Sequence, residues 1–143
     1  MKKLIIFLLL SLTLFASESD EKIRVQILEK ILSGISIENE IKIWSDEKEL
    51  LSAFKRYTNY KISENCENST IIILSNKNNL NYNCKNKNIF VLKYNLLFDI
   101  PQSFGSLFWK KGRPNIVLIN PRIKKKSIKI SKNLEAFLEE KVW

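Results

Sequence analysis

Few residues in this 143-residue chain could do covalent chemistry. Histidine is absent. That removes Ser-His-Asp and Cys-His nucleophilic sites, and most zinc, copper and haem sites, because all of these use imidazole as base or ligand. Two cysteines, Cys66 and Cys84, and one methionine leave no thiolate or thioether cluster. Three glycines cannot build a phosphate-cradling G-x-x-x-x-G-K-[ST] or G-x-G-x-x-G loop, and neither pattern occurs. Paired carboxylates are the remaining route to hydrolysis, and Asp46, Glu47 and Glu49 offer candidates. Beside a capping-box pattern they fit better as the solvated first turn of a helix, where the helix dipole favours acids. The sequence therefore predicts no enzyme, no catalytic residue, no metal ligand and no cofactor.

What remains is charge, aromatic surface and one pair of thiols. Between Asp99 and Glu135 there is no acid, whereas Lys110, Lys111, Arg113, Arg122, Lys124, Lys125, Lys126, Lys129 and Lys132 are basic. Eleven of the fifteen acids lie from Glu18 to Glu67, so the formal charge of +9 is unevenly placed. A chain loaded with Lys, Asn and Ile, as AT-rich coding sequence produces, can carry such a block simply as a solvated face. In a cytosolic protein the block would suggest nucleic acid; a leader peptide argues against it.

The N-terminus reads as that leader. Lys2 and Lys3 form a basic start, Leu4 to Phe15 is apolar apart from Ser11 and Thr13, and Ala16 and Ser17 offer small residues for cleavage. An apolar run of this length falls short of the roughly 20 residues that cross a hydrocarbon core. Residues 1–17 are accordingly expected to be a signal peptide and 18–143 one periplasmic domain of ordinary size. In an oxidising compartment Cys66 and Cys84 should pair by default, as a structural or a redox-responsive disulfide, with two free thiols as the remaining alternative.

The elements that must position these residues follow from periodicity. Ile23, Ile27, Leu28, Ile31 and Leu32 recur at helical spacing, with Asp20 as a cap and Gly34 as a stop. Glu40 to Trp44 alternates as a strand. Asp46 and Glu49 form the capping box of a helix facing inward through Leu50, Leu51 and Phe54. NYKIS suits an edge strand, and Thr70 to Leu74 and Asn88 to Lys93 suit buried strands. The Asn-rich segment between them is a loop or ragged helical turns. SLFW and NIVLIN around KKGRP read as a β-hairpin, with Asn120 capping a short helix at Pro121. Ser131 caps a final amphipathic helix through Leu134, Phe137 and Leu138. The fold class is α/β: a single small domain, a mixed sheet of about five strands flanked by helices, with a C-terminal β-hairpin and a terminal amphipathic helix.

Phe108 and Trp109 precede the basic turn, so only one of them can point into the core. The other is exposed, covered by the terminal helix, or used as an anchor. Core filling is the plainer reading, but Trp and Arg are enriched where proteins bind one another. Trp109, Lys110, Lys111, Arg113, Arg122, Lys124, Lys125, Lys126 and Lys129 are the candidate partner-binding residues. A basic face would speed encounter with an acidic domain or with anionic phospholipid heads.

The C-terminal residues also resemble a family. Gly112, Arg113, Ile116, Ile119 and Asn120, the block Arg122 to Lys126, then Ile128, Ile130, Ser131, Leu134 and Leu138 are similar to the C-terminal signature of the YfiR-like periplasmic proteins. QSFGSLFW looks like a reduced form of their glycine-rich strand, with Gly105 retained. Cys66 ahead of TIIIL is similar to the family's cysteine before its central strand, although about two extra residues intervene and the frequent following His is absent. The resemblance implies a small periplasmic α/β protein, often a dimer. It also implies a non-catalytic role: docking on the periplasmic part of a membrane signalling protein, such as a diguanylate cyclase, and modulating it in cyclic-di-GMP signalling. The partners expected are that membrane protein and a second copy, with no nucleic acid and at most peripheral membrane contact. The alternative is a small periplasmic ligand-binding accessory protein of an uptake system, using the carboxyl ends of the strands.

Overall fold

The computed structural model describes residues 20–143. The expected signal peptide therefore lies outside the described residues. Helix α1 covers residues 20–33 and is already helical at Asp20. It buries Val25, Leu28, Ile31 and Leu32, leaves Ile23 exposed, and stops at Gly34, whose N–H donates to the Ile31 carbonyl at 3.0 Å. Strands β1 (Ile35–Ser36) and β2 (Lys42–Ser45) follow, then helix α2 (Lys48–Tyr57), β3 (Lys61–Ile62), β4 (Ile71–Leu74) and β5 (Asn88–Val91). The C-terminal part holds helix α3 (Leu96–Asp99), β6 (Gly105–Lys110), β7 (Arg113–Ile119), helix α4 (Asn120–Lys125), β8 (Lys129–Ile130) and β9 (Leu138–Glu139).

The molecule is α/β, with one seven-stranded mixed sheet in the order β3-β2-β4-β5-β6-β7-β9. β2 to β6 are mutually parallel, β7 returns antiparallel to β6, and β9 runs parallel to β7. β1 and β8 form a separate antiparallel pair. The short, Lys-bearing β3 is at one edge, as NYKIS suggested, which limits stray strand pairing.

The run Ile71–Leu74 is buried throughout, because both faces of the central strand are covered. Ile71 and Ile73 enter a core with α1, α2, Phe90, Phe104 and Leu107. Ile72 and Leu74 enter the opposite core with Cys66, Cys84, Leu96, Leu97 and Ile119. The Asn-rich segment resolves into two 3-10 turns, Lys77–Asn79 and Tyr82–Cys84. Each is opened by an Asn side chain that accepts a backbone N–H, Asn76 from Asn78 and Asn81 from Asn83.

Four expectations need correction. The terminal amphipathic helix is instead a 3-10 helix, Lys132–Phe137, followed by β9, and the sheet has seven strands rather than about five. Leu138 leaves the helical face to pair beside Leu118, so sheet extension takes the residue that helical periodicity had assigned. The capping box is absent as well. Glu47 stands at the N-cap of α2 with no side-chain cap bond, and Asp46 points elsewhere. Asn120 is the first residue of α4 rather than its cap, and its amide donates to Glu140 Oε1 at 2.9 Å.

Candidate functional site

The β6–β7 hairpin organises the candidate surface. Lys110 pairs with Arg113 across a two-residue turn made by Lys111 (φ 52°) and Gly112 (φ 74°). Two positive φ values are what a tight hairpin turn matched to strand twist requires. A methyl group added at Gly112 would have no neighbour within 4 Å among the described residues. Lys110, Lys111 and Arg113 are all exposed.

Neither Phe108 nor Trp109 fills the core. Trp109 lies on the α1 side of the hairpin and is 45% exposed, close to the 47% of Ile23. Together with Pro114, Gly112, Asp20, Glu21 and Arg24 they line a cleft of about 570 Å³ between α1 and the hairpin. Phe108 points to the other face and packs on Tyr94, with ring centroids 5.1 Å apart.

The floor beside this cleft is a charge cluster that sequence reasoning missed. Arg24 bonds both carboxylate oxygens of Glu21, at 2.9 and 3.0 Å, and also Glu47. Burial pulls the Arg24 guanidinium down, but the carboxylates of Glu47 and Glu21 outweigh it and hold it above its ordinary value. Its Nε is buried without a partner among the described residues. The Glu21–Arg24 spacing of three was legible as a helical pair; the reach from Arg24 to Glu47 needed the packing of α1 on α2.

The basic block after β7 is a second cluster, not an extension of the first. β7 separates the hairpin tip from α4 by about 20 Å of strand. Within the block the cations divide by role. Arg122, expected at the surface, turns inward: its NH1 donates to the carbonyls of Leu97 at 2.8 Å and Ser103 at 3.1 Å. Burial holds its guanidinium below the ordinary arginine value. Lys126 Nζ donates to the carbonyls of Asn86 at 2.9 Å and Lys87 at 3.3 Å, and burial followed by Lys125 lowers its pKa. Lys124, Lys125 and Lys129 remain exposed. Arg122 and Lys126 thus fasten α4 to the body, and the other three are presented to solvent.

Cys66 and Cys84 are joined in a disulfide with Cα atoms 6.1 Å apart, and both are buried against the second core. A disulfide fits an oxidising compartment. The sulfurs and the Glu67 carboxylate lie within 4.8 Å of one another, the one grouping of metal-ligand types found among the described residues. With both sulfurs spent in the bond, no thiolate is offered to a metal. Among the described residues no helix is long and apolar enough to cross a membrane.

The carboxyl ends of the strands, where a small ligand would be sought, are bridged internally. Chain order reverses between β2 and β4, the usual place for a ligand crevice. Asp46 accepts there from Ser75 N at 2.9 Å, Ser75 Oγ at 2.8 Å, Asn76 N at 3.0 Å and Asn79 Nδ2 at 2.9 Å. The carboxylate already takes the donors that an anionic ligand would need. Compared with known proteins, the sequence matches no protein-family model and no curated protein.

Proposed function

We propose that this chain is an exported, non-catalytic regulatory protein of the periplasm that docks on the periplasmic part of a membrane-bound signalling protein and modulates it. The observation that carries this reading is the half-exposed Trp109 on the α1 face, beside the free cations of the hairpin tip and above the cleft bounded by Ile23 and Pro114. A rigid aromatic ring next to a cleft that can receive a partner's apolar side chain is the composition of an interface hot spot. Lys110, Lys111 and Arg113 would steer an acidic partner to it. The resemblance of residues 102–138 to the YfiR-like proteins supports a diguanylate cyclase or similar sensor as the partner class. The Asp46 bridge weighs against the alternative of a small-ligand pocket at the strand ends.

The test is a photo-crosslinking residue at position 109 in the exported protein. The expected product joins it to a membrane protein with a periplasmic domain and a cytoplasmic signalling domain. Trp109→Ala should weaken binding to that domain roughly thirtyfold or more, as truncating a hot-spot residue does. Crosslinking that fails at position 109, or binding that Trp109→Ala leaves unchanged, would overturn the docking reading. Lys124→Glu and Lys125→Glu together should reduce capture if the α4 cluster shares in the contact.

A further inference from the structure

We propose that the face of the hairpin opposite Trp109 is a second interaction surface, for an anionic phospholipid bilayer. Three aromatic rings meet there around Tyr94, and the backbone of Trp143 is tied to the same tyrosine. Its ring lies 6.1 Å from Phe98, edge-on, and 5.1 Å from Phe108. Its hydroxyl accepts from the Trp143 N–H at 2.9 Å and donates to the Trp143 carbonyl at 3.1 Å. The polar handle of Tyr94 is therefore satisfied within the protein, Tyr94 and Phe108 are half-buried, and Phe98 and Trp143 face outward. Phe98 is 53% and Trp143 72% exposed.

Cations frame these rings. Lys141 Nζ lies 4.1 Å from the centre of the Trp143 ring. Lys93, adjacent to Tyr94, is exposed, and Lys110 follows Phe108 by two residues, which puts it on the same face of β6. Arg113 is the cross-strand neighbour of Lys110. The acids nearby are fewer and partly engaged. Glu140 accepts from Asn120, and Glu139 lies 3.4 Å from Trp143 Nε1. Asp99, next to Phe98, is exposed.

Aromatic rings and long basic side chains together are the composition that settles at a bilayer interface. The rings lie at headgroup depth, and Lys and Arg stems lie along apolar surface while their charges reach lipid phosphates. A carbohydrate or an apolar protein surface would use the rings but offers no anion to the cations around them. An anionic bilayer answers both. The two surfaces rest on different rings, because Phe108 and Trp109 are consecutive in β6 and so face opposite ways, while Lys110 and Arg113 at the hairpin tip border both.

The experiment is co-sedimentation of the purified mature protein with vesicles of phosphatidylcholine alone and of phosphatidylcholine with equal phosphatidylglycerol. Binding is expected only with phosphatidylglycerol, and it should fall as salt is raised. Replacing Lys93, Lys110 and Lys141 together by Glu should reduce binding roughly a hundredfold or more, since each cation near an anionic surface counts about fivefold. Phe98→Ser with Trp143→Ser should also release the protein, while Trp109→Ala should not. Circular dichroism on every variant separates loss of the surface from loss of the fold. Two outcomes would overturn the inference. One is no sedimentation with phosphatidylglycerol vesicles. The other is sedimentation that the Phe98, Trp143 and lysine variants leave intact but Lys124→Glu with Lys125→Glu abolishes.

Discussion

Asp46 and Ser75, 29 residues apart, hold each other through two hydrogen bonds, one from the Ser75 backbone N–H and one from its hydroxyl. The carboxylate thereby ties the end of β2 to the end of β4 and, through Asn76 and Asn79, to the turn beyond. Asp46→Ala strands these donors and should cost about 1.5–3 kcal/mol, the range for hydrogen bonds to a charged group. Glu49→Ala removes an exposed acid and should cost within about 0.5 kcal/mol. Urea unfolding of both variants decides between them. Equal losses would restore the capping box as the better account.

Reduction of the Cys66–Cys84 bond should destabilise the domain by about 3 kcal/mol for a closed loop of this length. Denaturant unfolding with and without reductant measures it, with Cys66→Ser/Cys84→Ser as the control. Mass after alkylation without reductant should show no modified cysteine in the oxidised protein.

Arg122 and Lys124 lie two residues apart on α4, yet their removal should differ in kind. Arg122→Ala leaves the carbonyls of Leu97 and Ser103 without their donor and should cost about 1–2 kcal/mol. Lys124→Ala, on the exposed face, should stay within about 0.5 kcal/mol. Thermal unfolding of the two variants under one buffer condition is the comparison. A silent Arg122→Ala would mean that Ile123 and Lys126 hold α4 without it.

The two hairpin glycines should also separate. A Cβ at Gly105 would stand 2.7 Å from Leu118 Cδ2 and 2.8 Å from the Val117 carbonyl oxygen, and the backbone oxygen cannot swing aside. Gly105→Ala should therefore cost about 1–3 kcal/mol through overpacking. Gly112→Ala meets no atom but keeps a positive φ, so its cost is conformational, about 1 kcal/mol. Unfolding midpoints should fall in that order.

By itself the sequence determined what depends on local periodicity and on residue types. The buried run Ile71–Leu74, the helix α1 with Leu28, Ile31 and Leu32 inward (though Ile23 is exposed and Val25 takes a buried place) and the hairpin around Lys111 and Gly112 were legible, because each is written in neighbouring residues. So was the want of histidine and of phosphate-cradling loops, which narrows the chemistry without any coordinates. Tertiary structure alone decided matters that depend on a distant partner. Leu138 fits a helix by spacing but pairs in the sheet because the edge of β7 beside Leu118 is open to it. Asp46 reads as a cap, yet donors from a loop 29 residues on outbid the local helix. The run of like charges after β7 gave no sign that Arg122 and Lys126 would turn to carbonyls while Lys124 and Lys125 face water. Charge is a property of the residue, but its burial and its partners are properties of the fold.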